Sequence, residues 1–288
     1  MAELTCKNIK KSYKDKEVLH GINLTLEQGK IYGLVGRNGV GKTTLLSIMA
    51  AHNPATEGEV FYGDEPVWEN QKALDHICFS RELNPLANNG MAGSIKDYLK
   101  AAEIYYPNWD KELAKHLVKE FELDVKKKIQ KVSKGMLSMV TIIIALASKA
   151  EVTMLDEPVA GLDVFMREKF YKLLLEEYTE SGRTFVVSTH IIDEASNVLE
   201  EVIMMKDGEI ILQKNTDELL GSAVHVSGKI EDVDAATEGL TVRHQELVGR
   251  SKGVTVFLKD GERIKDGYDV SVQPVTLQNI FVALCGED

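Results

Sequence analysis

Apolar positions along the chain follow two rhythms, a period of two or a short continuous run that reads as strand, and a helical spacing of three to four. Glu3 to Lys11 and Ile22 to Leu26 alternate or run apolar, separated by the polar turn Lys14-Asp15-Lys16. Past Gln28-Gly29, Ile31 to Val35 is a buried strand, and Thr43 to Ala51 is a helix that Pro54 stops. Gly58 to Tyr62 and His76 to Phe79 are short strands. Ser94 to Tyr105, with a capping serine, and Asp110 to Phe121 have helical spacing. These two helices interrupt an otherwise alternating strand–helix order, so residues 84 to 130 read as an inserted helical stretch.

A long apolar-periodic helix follows from Ser133 to Ala150, extending the helical subdomain to about residues 84–150. Val152 to Leu155 is a near-continuous apolar run, hence a buried parallel strand, ending in Asp156-Glu157-Pro158. Asp163 caps a helix from Val164 to Tyr178, Thr184 to Ser188 is another buried strand, and Asp193 to Leu199 is helical. Val202 to Met205 and Glu209 to Leu212 flank Lys206-Asp207-Gly208, a hairpin turn. From about Lys214 the texture changes. Short strands (Val224 to Val226, Leu240 to Val242, Val254 to Leu258, Val270 to Val272) and two helices (Asp232 to Thr237, Val275 to Leu284) suggest an α+β appendage of about 70 residues. The pattern predicts an α/β fold with a parallel sheet, divided into residues 1–215 and an accessory domain at 216–288.

Composition adds limits. A chain of 288 residues holds a large domain plus a small one. Its net charge of −11 argues against a nucleic-acid surface, so no nucleic-acid partner is expected. Cys6, Cys78 and Cys285 lie far apart without C-x-x-C spacing, which suggests neither a disulfide framework nor a zinc site but reduced thiols in a cytosolic protein. The N-terminus lacks the apolar core of a signal peptide, and no apolar run reaches membrane-span length. Any membrane role must come through a partner.

The chemistry concentrates after Ile31 to Val35. Gly36, Gly41, Lys42 and Thr43 fill the pattern G-x-x-x-x-G-K-[ST] between a strand and a helix, the setting that pattern requires. Glycines let backbone N–H groups curl around phosphate oxygens, and the helix offers its positive end. Lys42 supplies a point charge to the outer phosphates, and the Thr43 hydroxyl can ligate Mg²⁺. Asp156 and Glu157, at the carboxyl end of a buried strand, lie where doubly wound sheets place ligands. Asp156 can hold the Mg²⁺ shell through water and Glu157 can polarise an attacking water. His190, after the next buried strand, should reach the same edge. Tyr13, just before the first turn, reads on composition alone equally as a packing aromatic.

Taken together, Gly36 to Thr43, V-S-K-G-M from Val132, V-T-M-L-D-E from Val152, A-G-L-D from Ala160 and S-T-H from Ser188 resemble an ATP-binding-cassette (ABC) transporter ATPase subunit over roughly residues 2 to 215. The resemblance implies a P-loop NTPase of ABC-ATPase type, with an N-terminal antiparallel β subdomain, a helical subdomain and a small C-terminal α+β appendage. It implies ATP contacts from Tyr13, which falls at the adenine-stacking position, and from Gly36, Asn38, Gly39, Val40, Gly41, Lys42, Thr43 and Thr44. Ser133 and Gly135 fall in the signature motif, which meets the γ-phosphate of ATP held by a second copy of the chain. Asp163 falls in the loop that crosses the dimer interface, and His190 at the switch histidine. Two positions depart from the family pattern. The usual L-S-G-G-Q is V-S-K-G-M here, so Met136 loses an amide and Lys134 adds a charge. Where a glutamine usually senses Mg²⁺ and the membrane partner, the alignment puts Glu82, whose carboxylate still suits Mg²⁺.

The overall pattern is similar to exporter ATPases whose appendage ends in a stretch like P-V-T-L-Q-N-I-F-V from Pro274. The expectation is a cytoplasmic ATPase at the inner face of the membrane, with ATP and Mg²⁺ as cofactors, paired with itself and with an integral membrane permease subunit. Catalysis would fall to Glu157, His190 and Lys42, and the metal to Thr43, Glu82 and Asp156. Peptides, antibiotics or other amphipathic cargo are expected by analogy. Two rivals stand beside this reading: a non-transport ABC-type ATPase acting on another macromolecule, and a catalytically weak regulatory ATP-binding module.

Overall fold

The structure, a computed structural model, describes residues 2–83, 93–259 and 261–286. The helical stretch expected from residue 84 therefore falls partly outside the described residues, up to residue 92.

The chain opens with an antiparallel hairpin, β1 (Leu4–Tyr13) and β2 (Lys16–Leu26). β2 starts well before the apolar stretch at Ile22. Its first half is set by pairing with β1 rather than by burial, since only Leu19 between Lys16 and Gly21 is buried. β3 (Ile31–Gly36) leads through the glycine loop into α1 (Lys42–Met49). β4 (Glu57–Tyr62) returns to pair with β1, and β5 (Glu65–Pro66) extends that sheet, giving the order β2-β1-β4-β5. A single turn, α2 (Gln71–Leu74), precedes β6 (Ile77–Ser80).

The helices α3 (Ile95–Tyr105), α4 (Lys111–Glu120) and α5 (Lys134–Ala147) follow, each opened by a side-chain cap, from Ser94, Asp110 and Ser133 respectively. Next come β7 (Val152–Asp156), α6 (Val164–Ser181), β8 (Thr184–Thr189), α7 (Ile192–Ala195), β9 (Glu201–Lys206) and β10 (Glu209–Asn215). α7 is shorter than the segment Asp193 to Leu199 predicts. The Ser196 hydroxyl bonds back to the Asp193 carbonyl (2.7 Å), a local alternative to continuing the helix. The central sheet runs β10-β9-β3-β8-β7-β6, parallel from β9 to β6 with β10 antiparallel at its edge.

Beyond it, α8 (Thr216–Gly221) is capped by the Asn215 side chain. It leads to β11 (Ala223–Lys229), α9 (Ile230–Ala236), β12 (Thr241–Val248), β13 (Ser251–Phe257), β14 (Val270–Pro274) and α10 (Leu277–Cys285). These strands form an antiparallel sheet in the order β12-β13-β11-β14.

The pleat explains the layers. Ile31, Val35, Leu155, Phe185 and Val187 face a core shared with α3 to α6. Tyr32, Leu34, Met154, Val186 and Ile203 face the opposite core, shared with α1 and the β1–β2 hairpin. Both faces of the central sheet's five parallel strands are packed, which is why β3, β6, β7, β8 and β9 read as apolar runs rather than alternations. Val226, Val233, Val254 and Val256 form a third, smaller core. Leu277 and Ile280 of α10 join the first core instead, beside Ile192, Ala195 and Leu219. Cys6, Cys78 and Cys285 are free and buried. Among the described residues no helix is long and apolar enough to cross a membrane.

One buried ion pair fastens α5 and α6 to the sheet. The Arg183 guanidinium reaches Glu177 (3.1 Å), and the two side chains are 4% and 3% exposed. Arg183 also donates to the carbonyls of Leu146 (2.6 Å) and Ala150 (3.3 Å) at the end of α5. Burial pulls its pKa down, and the Glu177 charge opposes this. Lys149 gives Glu177 a second cation at 2.9 Å, nearer the surface. Removing the carboxylate leaves a buried guanidinium uncompensated, a loss of about 3–5 kcal/mol. Glu177→Gln should therefore lower the urea midpoint steeply, whereas Lys149→Met should shift it by about 1 kcal/mol or less, since Lys149 keeps 22% of its side chain in solvent. Equal midpoints for the two variants would refute this account of the junction.

Candidate functional site

The loop between β3 and α1 is shaped by close approach to β2. Gly41 precedes α1 at φ 109, and a Cβ there would sit 2.7 Å from Leu19 Cδ2 and 3.2 Å from the Val18 carbonyl oxygen. Lys42 is 6% exposed and curls over the loop, its ammonium donating to the carbonyls of Gly36 (2.7 Å) and Arg37 (3.2 Å). Burial depresses the lysine pKa, while the charges of Glu157 and Asp156 work against that fall. Beside it opens a cavity of about 200 Å³ lined by Val18, Asn38, Gly39, Gly41, Lys42, Thr43, Thr44 and Glu157.

Asp156 ends β7 and ties two neighbours together. It accepts from the Thr43 hydroxyl (2.6 Å) at the start of α1 and from the Ser188 hydroxyl (2.8 Å) on β8. A hydroxyl and a carboxylate at a phosphate loop form the oxygen set that a hard divalent cation takes alongside phosphate oxygens. The chain then turns sharply at Glu157, φ 49, where its N–H donates to the Ser188 carbonyl (2.9 Å). That turn aims the Glu157 carboxylate at His190, with 2.7 Å between Oε2 and Nδ1. Lys42, Thr43, Asp156, Glu157 and His190 thus converge at the carboxyl edge of three adjacent strands. Ser188 belongs to the same set. Its sequence signal is a hydroxyl at the end of the strand that pairs with the Asp156 strand, Asp156 standing opposite Ser188 in register.

A second group lies away from that cavity. Ser133 caps α5, its hydroxyl accepting from the Met136 N–H (3.2 Å), and Asp163 caps α6, accepting from the Met166 N–H (3.0 Å). The two caps belong to segments packed backbone to backbone: a Cβ on Gly135 would lie 2.6 Å from the Gly161 carbonyl oxygen. The Ser138 hydroxyl bonds the Ala160 carbonyl (2.6 Å) beside this contact. Glu82 pairs with Lys134 (3.1 Å), the residue after Ser133. Tyr13 is 48% exposed at the end of β1, its hydroxyl accepting from the Asn53 amide and the Lys11 ammonium lying 4.9 Å from its ring centre.

The contact between Gly135 and Gly161 generates a prediction. An added methyl must push backbone against backbone, and overpacking of that kind is worth about 1–3 kcal/mol. Gly135→Ala should lower stability by that amount in chemical denaturation while leaving nucleotide binding to the isolated phosphate loop intact, measured with a fluorescent ATP analogue. Unchanged stability would mean the segments move apart freely.

The profile of the ABC transporter family matches residues 19–160. The chain is 23% identical over 286 residues to ABC transporter ATP-binding protein YtrB of Bacillus subtilis, covering 97% of each. It is 31% identical to the tungstate uptake system ATP-binding protein TupC of Peptoclostridium acidaminophilum, across 72% of this chain and 96% of that one. Among solved structures, the dimeric post-hydrolysis state of the ATP-binding cassette MJ0796 bound to ADP and Pi superposes with a TM-score of 0.64. It is 25% identical, over 74% of this chain and 98% of that one. Motifs, fold and relatives agree: the chain belongs to the family of ABC transporter ATP-binding subunits.

Proposed function

We propose that the chain hydrolyses ATP as a symmetric homodimer and thereby drives a separate membrane-spanning subunit that exports amphipathic cargo. The observation that carries this reading is that Lys42, Thr43 and Glu157 line one cavity, with Asp156 bonded to Thr43 and His190 to Glu157, while Ser133 and Asp163 cap helices elsewhere on the same chain. One chain supplies one phosphate loop and one signature serine, so two copies related by a twofold axis give two complete sites. A related cassette forms a dimer with ADP and Pi bound, which supports the same arrangement here.

In this reading Lys42 leaves the carbonyls of Gly36 and Arg37 for the β- and γ-phosphates, whose negative charge opposes the effect of burial on its pKa. The adjacent Thr43 hydroxyl and Asp156 carboxylate would hold Mg²⁺. Bound there, Mg²⁺ would offset the negative charge that develops on the phosphates. Glu157 orients the attacking water, and its hydrogen bond to Nδ1 fixes the His190 ring so that Nε2 faces the γ-phosphate. Tyr13, exposed at the end of β1, would stack on adenine, and Ser133 would close over the phosphate held by the other copy. Positioning and electrostatics do the catalysis, without a covalent step.

Export rests on the sequence pattern of the appendage. Uptake is the second reading, favoured by the 31% identity to a tungstate uptake subunit. Cargo accumulation in inside-out against right-side-out vesicles, with the membrane subunit that copurifies, separates the two.

Glu157→Gln should still bind ATP, lose at least about a hundredfold in turnover, as expected for a displaced general base, and accumulate as dimer. Normal turnover in that variant would remove Glu157 from this role. Lys42→Ala should instead lose nucleotide binding itself, seen as loss of the ATP-dependent rise in Tm.

A further inference from the structure

The pair Glu82–Lys134 joins the two segments that face different nucleotides of the dimer. Glu82 follows β6, on the segment expected to meet the metal end of its own chain's phosphate site. Lys134 adjoins Ser133 on the first turn of α5, the segment expected to meet the second copy's ATP. Their charged atoms are 3.1 Å apart, and the side chains are about half exposed, 54% for Lys134 and 53% for Glu82. The lysine is not free to sample every rotamer. Its stem passes over Gly161, where even a methyl group would come within 2.9 Å of Lys134 Cγ. A glycine in the Asp163 loop therefore makes the channel along which Lys134 reaches Glu82.

We propose that Glu82 and Lys134 form an exchangeable latch that couples the two ATP sites of the homodimer. The proposal rests on the ATP-sandwich reading above. With no nucleotide bound, each residue neutralises the other within one chain. When Mg·ATP fills the phosphate loop, Glu82 turns toward the metal end of that site. Lys134 is released to the γ-phosphate presented by the second copy, beside Ser133. Its magnitude suits the task. A half-exposed ion pair shifts an equilibrium by about two- to fivefold, enough to bias closure and too little to resist the ligand. Occupancy of one site is thereby reported, through a single charge exchange, to the surface that completes the other.

The test uses the full chain carrying Glu157→Gln and follows the monomer–dimer equilibrium by sedimentation velocity, with ATP alone and with ATP plus Mg²⁺. With ATP alone, adding Glu82→Gln should free Lys134 and tighten dimerisation about threefold. Adding Lys134→Gln should weaken it, and in the Glu82→Gln, Lys134→Gln combination the threefold gain should vanish. With Mg²⁺ present the Glu82→Gln gain should shrink or reverse, a dependence that a merely structural contact would not produce. Lys134→Arg should preserve the coupling. A Glu82→Gln effect of equal size with or without Lys134, or independent of Mg²⁺, would overturn the latch. Failure of the parent Glu157→Gln chain to dimerise on Mg·ATP would overturn the sandwich reading itself, and it is seen before any latch variant is made.

Discussion

One carboxylate holds the carboxyl edge of the central sheet together. Asp156 takes a hydroxyl from Thr43 and another from Ser188, so the start of α1, the end of β7 and the end of β8 are locked to a common point. Charge-assisted hydrogen bonds of this length are the strong kind, and the one from Ser188 is buried, which keeps water from competing for it. Everything chemical in the site is referred to that point. The sharp turn at Glu157 starts from it, His190 follows one residue after the strand that carries Ser188 and Thr189, and the glycine loop hangs from its other side. The same constraint keeps the reactive groups where β3, β8 and β7 run side by side, the place at which a parallel sheet offers unpaired backbone and loop freedom.

Behind this edge the two ends of α5 are held by different kinds of contact. Both faces of the central sheet are packed, and Arg183 with Glu177 closes the junction of α5, α6 and β8 from below. At its opposite end α5 meets the Gly161 turn through backbone contact with almost no side-chain volume between them. The helix is thus firmly held at its carboxyl end and steered at its amino end, where Ser133 and Lys134 stand. An element fixed at one end and guided at the other suits a part that must meet a second molecule in register.

The phosphate loop is legible in the sequence because each of its residue types is forced: glycine by backbone approach, lysine by charge, threonine by a hydroxyl at a helix start. Asp156, Glu157 and His190 are legible because strands buried on both faces announce themselves as apolar runs, and a polar residue at the end of such a run must face the sheet edge. What stays hidden depends on partners distant in the chain. Ser188 gains its role from register with β7, and β2 gains its first half from β1. The hold of Lys134 on Glu82 needs the turn at Gly161 between them. The short helix α8 carried a readable cap in Asn215 followed by Thr216-Asp217-Glu218, but its few apolar residues give no periodicity to find.

The last helix carries a consequence for how the protein is made. Leu277 and Ile280 of α10 fill the same core as Ile192 and Ala195 of α7, although the small antiparallel sheet lies between them in the chain. Vectorial synthesis releases the nucleotide-binding motifs before this helix. A nascent chain halted before residue 277 leaves Ile192 and Ala195 without the side chains that share their core in the folded protein. Completion of that core is in this way timed to the ribosome's delivery of α10.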